Sequence, residues 1–172
     1  MGRMTTSPET LSDPAEPRWL SAEEQRVWRG FLRMQKELEA HLGRQMQTES
    51  DLSMADFSVL VVLTDVPEGQ ARVLELAREL QWEKSRLSHH LSRMVKRGLI
   101  ARAECESDGR GSFVVITDAG RQAIRAAAPR HVELVRKLFF DPLSPEQLGH
   151  LGEISERILG AMEGCPDALS DS

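Results

Sequence analysis

The chain is 172 residues long, 40% hydrophobic and 28% charged, with a formal net charge of −5 at neutral pH. That is enough for one cored domain with helical appendages that need a partner, and it argues against a disordered polymer or an indiscriminate coat on nucleic acid. No stretch is long and apolar enough to span a bilayer, and Met1 to Pro17 lacks the apolar centre of a secretory signal, so a cytoplasmic protein with no membrane partner is expected.

Residues 1 to 18 are rich in Ser, Thr, Pro and Glu and read as an arm, mobile or ordered against another subunit. Ser21 with Glu24 forms a capping box that opens a helix. Val27, Phe31, Met34, Leu38 and Leu42 lay one apolar stripe along it, widened by Trp28 and Leu32, and a stripe that broad needs a facing surface. Ser53 and Asp56 cap a second helix carrying Phe57, Leu60, Val61 and Leu63 and ending near Asp65, before a loop at Pro67 and Gly69.

Val73, Leu76, Ala77 and Leu80 give a short one-sided helix. After Gln81, Trp82 and Glu83 the period resumes in Leu87, Leu91 and Met94, and Gly98 can close that helix in the left-handed conformation. Two helices joined this tightly meet at a steep angle, so the second projects outward while its apolar side packs on the first. Leu99 to Cys105 and Ser112 to Ile116 then read as the two arms of a hairpin around a polar tip, Glu106 to Gly111. Thr117 caps a further helix, Pro129 predicts a bend or break in it, and Val132, Val135, Leu138 and Phe139 restart an apolar face. Ser144 and Pro145, followed by Glu146 and Gln147, open a last helix through about Leu159 with Leu148, Leu151, Ile154 and Ile158 on its apolar side.

The second helix of the tight pair carries the chemistry. Between Lys84 and Arg97 the charged residues are Lys84, Arg86, Arg93, Lys96 and Arg97, with no acid among them, in a chain that is acidic overall. Ser85, Arg86, His89 and Ser88 lie away from Leu87, Leu91 and Met94 and are the candidates for contact with DNA base edges; Lys84, Arg93 and Lys96 are placed for phosphates. The free amides of the first turn favour the same anionic partner. The other reading of this face, a solvated helix surface, loses ground because a short packed helix precedes it and a hairpin follows. At the hairpin tip Gly109 and Gly111 leave room for Arg110 to enter a narrow minor groove, and Asp108 either orients that arginine or simply forms the turn.

Other chemistries find less support. His89 and His90 point about 100 degrees apart on a helix and lack a third ligand at motif spacing, so no metal site is expected. Cys105 and Cys165 match no metal or redox pattern. No GxSxG elbow, HExxH helix, P-loop or dinucleotide fingerprint occurs, so neither an enzyme nor a cofactor is expected.

The stretch LELARELQWEKSRLSHHLSRMVKRGLIARAECESDGRGSFVVITDAG, Leu74 to Gly120, closely resembles the MarR family of bacterial winged-helix transcription regulators. Leu76, Ala77, Leu91, Met94, Arg97, Gly98, Leu99 and Ile100 carry the resemblance, with Asp108, Arg110, Thr117 and Gly120. It implies a mainly α fold with a small β-hairpin: a winged helix-turn-helix lobe at 51–120, flanked by helical dimerisation regions at 19–50 and 121–163, with a flexible arm at 1–18 and a flexible tail at 164–172. It further implies that Ser85, Arg86, Ser88 and His89 occupy the start and exposed side of the recognition helix, that Arg110 takes the minor-groove wing position and that Asp108 orients the tip. Where the family often starts its recognition helix with Ser or Thr, Glu83 stands here.

The resemblance implies a homodimer, and geometry agrees, because two recognition helices related by a two-fold axis can read a pseudopalindrome with centres about 34 Å apart. Val27, Trp28, Phe31 and Met34, with Leu148, Leu151, Ile154 and Ile158, supply the two halves of that interface; the alternative is an ordinary monomeric core. Many family members change DNA affinity when a small molecule binds between the dimer helices and the winged lobe, implying an effector pocket near the first helix and the helix from Ser53 to Thr64. Members that sense peroxide place a cysteine near the first helix, and none stands there in this chain. The leading expectation is therefore a dimeric, sequence-specific regulator of double-stranded DNA, more often a repressor on family precedent. The alternative is a winged-helix protein-interaction module without operator binding.

Overall fold

The computed structural model describes residues 17–104 and 112–163. It divides into two units, one ending at Lys36 and one beginning at Glu37, with helix α1 (Ala22–Glu49) running from the first into the second. In order there follow α2 (Met54–Asp65), a 3-10 turn (Pro67–Gly69), β1 (Gln70–Arg72), α3 (Val73–Glu79), α4 (Lys84–Lys96), β2 (Ile100–Glu104), β3 (Ser112–Ile116), α5 (Asp118–Val135), a π-helical turn (Arg136–Phe140) and α6 (Pro145–Glu163). The fold is mainly helical with a small antiparallel sheet, in winged helix-turn-helix topology.

Local chemistry sets the helix starts. Ser21 and Glu24 exchange bonds, the Ser21 amide donating to Glu24 Oε2 at 2.7 Å and the Glu24 amide to Ser21 Oγ at 3.2 Å. The Ser53–Asp56 and Ser144–Gln147 pairs repeat that reciprocal cap at the starts of α2 and α6. Thr117 does more. Its hydroxyl accepts from the Gly120 amide at 3.1 Å and points its own hydrogen at the carbonyls of Gly98 and Leu99, 2.6 and 2.9 Å away, tying the end of α4 to the start of α5. Gly98 closes α4 with φ 72°, a conformation that costs a residue with a Cβ.

The core lies in the unit from Glu37 onward. Leu60 and Leu63 of α2, Leu76 of α3, Leu87, Leu91 and Met94 of α4, and Ile100 and Val114 of the sheet are wholly buried. The sequence of α2, MADFSVLVVLTD, is apolar on nearly every side, as suits a helix surrounded by others, whereas α4 buries one stripe and exposes the rest. Each of Leu87, Leu91 and Met94 contributes about 1.5–3 kcal/mol by that burial, which fixes which side of α4 faces outward.

The structure departs from the sequence reading in two places and extends it in a third. The sheet has three strands in the order β1-β3-β2, with Gln70 opposite Val115 and Ile100 opposite Ile116; β1, just past the loop read at Pro67 and Gly69, was not anticipated. Of the bend or break expected at Pro129, the break is absent, because α5 runs through it to Val135. Arg125, whose carbonyl loses a helical partner to the proline ring, lies on the exposed side with Pro129, where water can serve it. The irregularity comes later, at the π-helical turn. Finally, α1 continues past Leu42 to Glu49 and ends with Met46 buried in the core.

Candidate nucleic-acid interface

Helix α4 presents Lys84, Ser85, Arg86, His89, Arg93 and Lys96 on its exposed surface, while Ser88 is half-buried. The first helical bond within α4 is Leu87 N to Glu83 O at 2.9 Å, so the amides of Lys84, Ser85 and Arg86 precede it at the positive end of the helix. Glu83 occupies the cap position and makes no side-chain capping bond. The departure from the usual Ser or Thr therefore leaves those amides for another acceptor. Cations and open amides thus converge on the first turn, an arrangement suited to phosphate oxygens and base-edge acceptors.

The sheet adds one cation that sequence reasoning passed over. Arg102 of β2 reaches back to α4, where its Nη2 donates to Ser92 Oγ at 3.1 Å, and Ser92 in turn donates to the Ser88 carbonyl at 2.9 Å. Its position in the predicted hairpin was legible, but not its contact with the helix. The wing residues Asp108, Gly109, Arg110 and Gly111 lie outside the described residues.

His90, weighed from the sequence as a poor metal-ligand pair with His89, is buried at 6% exposure. Arg93 Nη2 lies 3.0 Å from His90 Nδ1. A guanidinium only donates, so Nδ1 accepts and the neutral ring carries its proton on Nε2. That nitrogen stands 3.1 Å from Asp56 Oδ1, close enough for charge to matter but not aligned for a hydrogen bond. Asp56 Oδ2 meets Arg97 Nη1 at 2.6 Å, and Arg97 Nη2 also donates to the Asp51 carbonyl. Burial pushes the His90 pKa below its ordinary value; the Asp56 carboxylate opposes that shift and Arg93 and Arg97 reinforce it. Burial pushes Asp56 up, but the Ser53 amide, Arg97 and the Ser53 hydroxyl outweigh it and hold the carboxyl below its usual range. A cavity of about 420 Å³ opens beside this cluster, lined by Gln47, Ser50, Ser53, Asp56, His90 and Arg93 among others. It lies where the end of α1 and the start of α2 approach α4.

The residues expected to pair subunits are outward-facing. Val27, Trp28, Phe31 and Met34 are 45–62% exposed on α1, with Trp28 and Phe31 stacked at 5.9 Å between ring centroids. On α6, Leu148, Ile154 and Ile158 are 44–54% exposed and Leu151 is half-buried. Among the described residues no group of three or more His, Cys, Asp or Glu side chains is placed to hold a metal, and no helix is long and apolar enough to cross a membrane.

A model of the MarR family matches residues 50–111. Among solved structures, the chain is 42% identical to Sco3205 of Streptomyces coelicolor, a MarR family transcriptional regulator crystallised with DNA, at a TM-score of 0.82 over 91% of this chain and 97% of that one. It is 38% identical to AbsC, a MarR family regulator of the same organism, at a TM-score of 0.81 over 87% of this chain and all of that one. It is also 29% identical to the HTH-type regulator YxaD of Bacillus subtilis across 65% of this chain and 78% of that relative. Likeness at this level, spanning both the helix-turn-helix pair and the flanking helices, makes the chain a member of the MarR family of winged helix-turn-helix transcriptional regulators.

Proposed function

We propose that this protein is a homodimeric transcriptional regulator that binds a pseudopalindromic operator sequence-specifically and represses by blocking access to the promoter. The observation that carries the reading is the outward face of α4: Lys84, Ser85, Arg86, His89 and Lys96 exposed, no acid within the helix, and the opposite side locked by Leu87, Leu91 and Met94. On this reading Ser85, Arg86, Ser88 and His89 read base edges, and Lys84, Arg93 and Lys96 meet phosphates. Arg110, oriented by Asp108 between Gly109 and Gly111, enters the minor groove. The segments 19–50 and 121–163 pair the subunits, and 51–120 forms the DNA-binding lobe. The crystallisation of Sco3205 with DNA supports the assignment.

A small-molecule effector releases the operator in this scheme. The cavity beside Asp56 and His90 supports that part, because a ligand there lies against α4 itself. Such a ligand must bind the DNA-competent and incompetent dimers unequally, or occupancy of the operator cannot change.

Selection of bound duplexes from a random pool with the purified protein, followed by the stoichiometry of the winning complex, tests the function. The expected result is a paired motif bound by two chains, with affinity falling steeply as salt rises. Equal, weak binding to all duplexes would instead identify a winged-helix module that has kept the fold and engages protein partners.

A further inference from the structure

The turn between α3 and α4 carries a tryptophan held from several sides. Gln81 adopts φ 52°, a left-handed conformation that turns the chain sharply, and the next amide, Trp82 N, donates to the Ala77 carbonyl at 2.9 Å. Trp82 is therefore anchored through its backbone and lies half-buried against the core of the lobe. The imidazole of His90 meets the indole nearly at right angles, at 86° and 5.5 Å between centroids. The Arg86 guanidinium carbon lies 4.9 Å from the indole centroid. Residues 82, 86 and 90 succeed one another at steps of four, along one line of the helix and its entry.

This arrangement acts on the residue with the most to gain from it. An exposed arginine samples many rotamers and loses that freedom when it pairs with a base. Held against an indole, its plane is restricted while the outer N–H groups remain available for the paired acceptors of a guanine edge. His90 is itself held in place, with Arg93 Nη2 3.0 Å from its Nδ1 and Asp56 Oδ1 3.1 Å from its Nε2.

We propose that Trp82 is a positioning residue for DNA reading, one that holds the Arg86 guanidinium in the orientation that sets base preference at the position Arg86 meets. The inference rests on the operator-binding function proposed above and adds to it a residue that touches no base.

The test uses the full-length protein, the duplex it selects, and that duplex carrying each other base at the position whose preference Arg86→Ala relaxes. Trp82→Leu is expected to reduce discrimination there by about two- to fivefold while leaving the salt dependence unchanged, because no phosphate contact is lost. Trp82→Phe, which keeps an aromatic face, is expected to retain most of the discrimination. The double variant Trp82→Leu, Arg86→Ala is expected to be no more relaxed than Arg86→Ala alone, as two residues acting through one contact require. Wild-type discrimination in Trp82→Leu, equal relaxation at every position, or further relaxation in the Arg86→Ala background would each overturn the proposal.

A second measurement needs no variant that might lose its fold. In the nuclear magnetic resonance spectrum of the wild-type protein, the Arg86 side-chain protons are expected to be displaced by the indole ring current, and their standing at random-coil positions would overturn the stack. If the wild-type protein selects no sequence at all, it is the operator-binding function that fails, while this spectrum still decides whether Trp82 holds Arg86.

Discussion

Arg97 Nη1 donates to Asp56 Oδ2 at 2.6 Å, so the carboxylate that completes the capping box of α2 also holds the residue that ends α4. The Asp56 side chain is 3% exposed and the Arg97 side chain 41%, which makes the aspartate the member that cannot turn to water if its partner leaves. The same carboxylate faces His90, so two side chains from α4 and its end meet the first turn of α2 at one group.

Asp56→Ala removes the acceptor that the Ser53 amide and Arg97 share, while Ser53 stays as the cap and Arg97 can turn to water, and is expected to cost about 2 kcal/mol of stability. Asp56→Asn keeps a good capping side chain and is expected to cost less. Urea unfolding at fixed protein concentration measures both, and a loss below about 1 kcal/mol for Asp56→Ala would show that the cluster contributes little beyond an exposed pair.

Acid sensitivity follows from two imidazoles withdrawn from water, His90 buried on α4 and His131 half-buried on α5. Burial lowers the pKa of both His90 and His131 below their ordinary 6.5. The unfolded chain then takes up protons before the folded one, so stability is full above that value and falls as pH drops from it toward the folded values. Asp56, also lowered, acts in a more acidic window: its contribution is present above its ordinary 3.8 and is lost as pH falls through its folded value. The urea midpoint is expected to fall between about pH 7.5 and about pH 5.5, and His90→Gln to flatten that slope. A midpoint independent of pH across that range would contradict the burial of both rings.

Gly120 lies under the Leu99 carbonyl in the first turn of α5, where a Cβ would press on that backbone oxygen and stand 3.0 Å from Ile116 Cγ1. Gly120→Ala is expected to destabilise the protein by about 1–3 kcal/mol, read as a lower thermal midpoint, because backbone has to move to admit one methyl group. An unchanged midpoint would mean that the Thr117 junction has more slack than its hydrogen bonds suggest.

The exposed stack of Trp28 and Phe31 gives the homodimer its direct test. Phe31→Asp is expected to yield monomers in sedimentation velocity and to weaken binding to a paired operator by about 100-fold or more, since the two half-sites are no longer engaged together. Dimers that persist at wild-type affinity would remove this stripe from the interface.

What could be read without the structure follows the range of the forces involved. The caps at Ser21, Ser53, Thr117 and Ser144 act over three residues, and each is present at the expected helix start. The apolar stripe of α4 recurs at short range and correctly gave its buried side. Strand β1 escaped because it has only three residues and exists through pairing with β3, far along the chain. His90 escaped for a related reason: it sits one position from the exposed His89, and its partner Asp56 lies on another helix. Met46, by contrast, stands four residues beyond Leu42 and could have extended α1 from periodicity alone.

The pairing of β1 with β3 has a consequence for how the lobe comes into being. Gln70 to Arg72 precede the two helices of the helix-turn-helix pair, and their partners Phe113 to Val115 follow them, so the intervening chain closes into a loop. Closing it costs entropy before its contacts are gained. A ribosome that has made only the two helices has not yet made β3, so β1 can join the sheet only after that later strand has emerged.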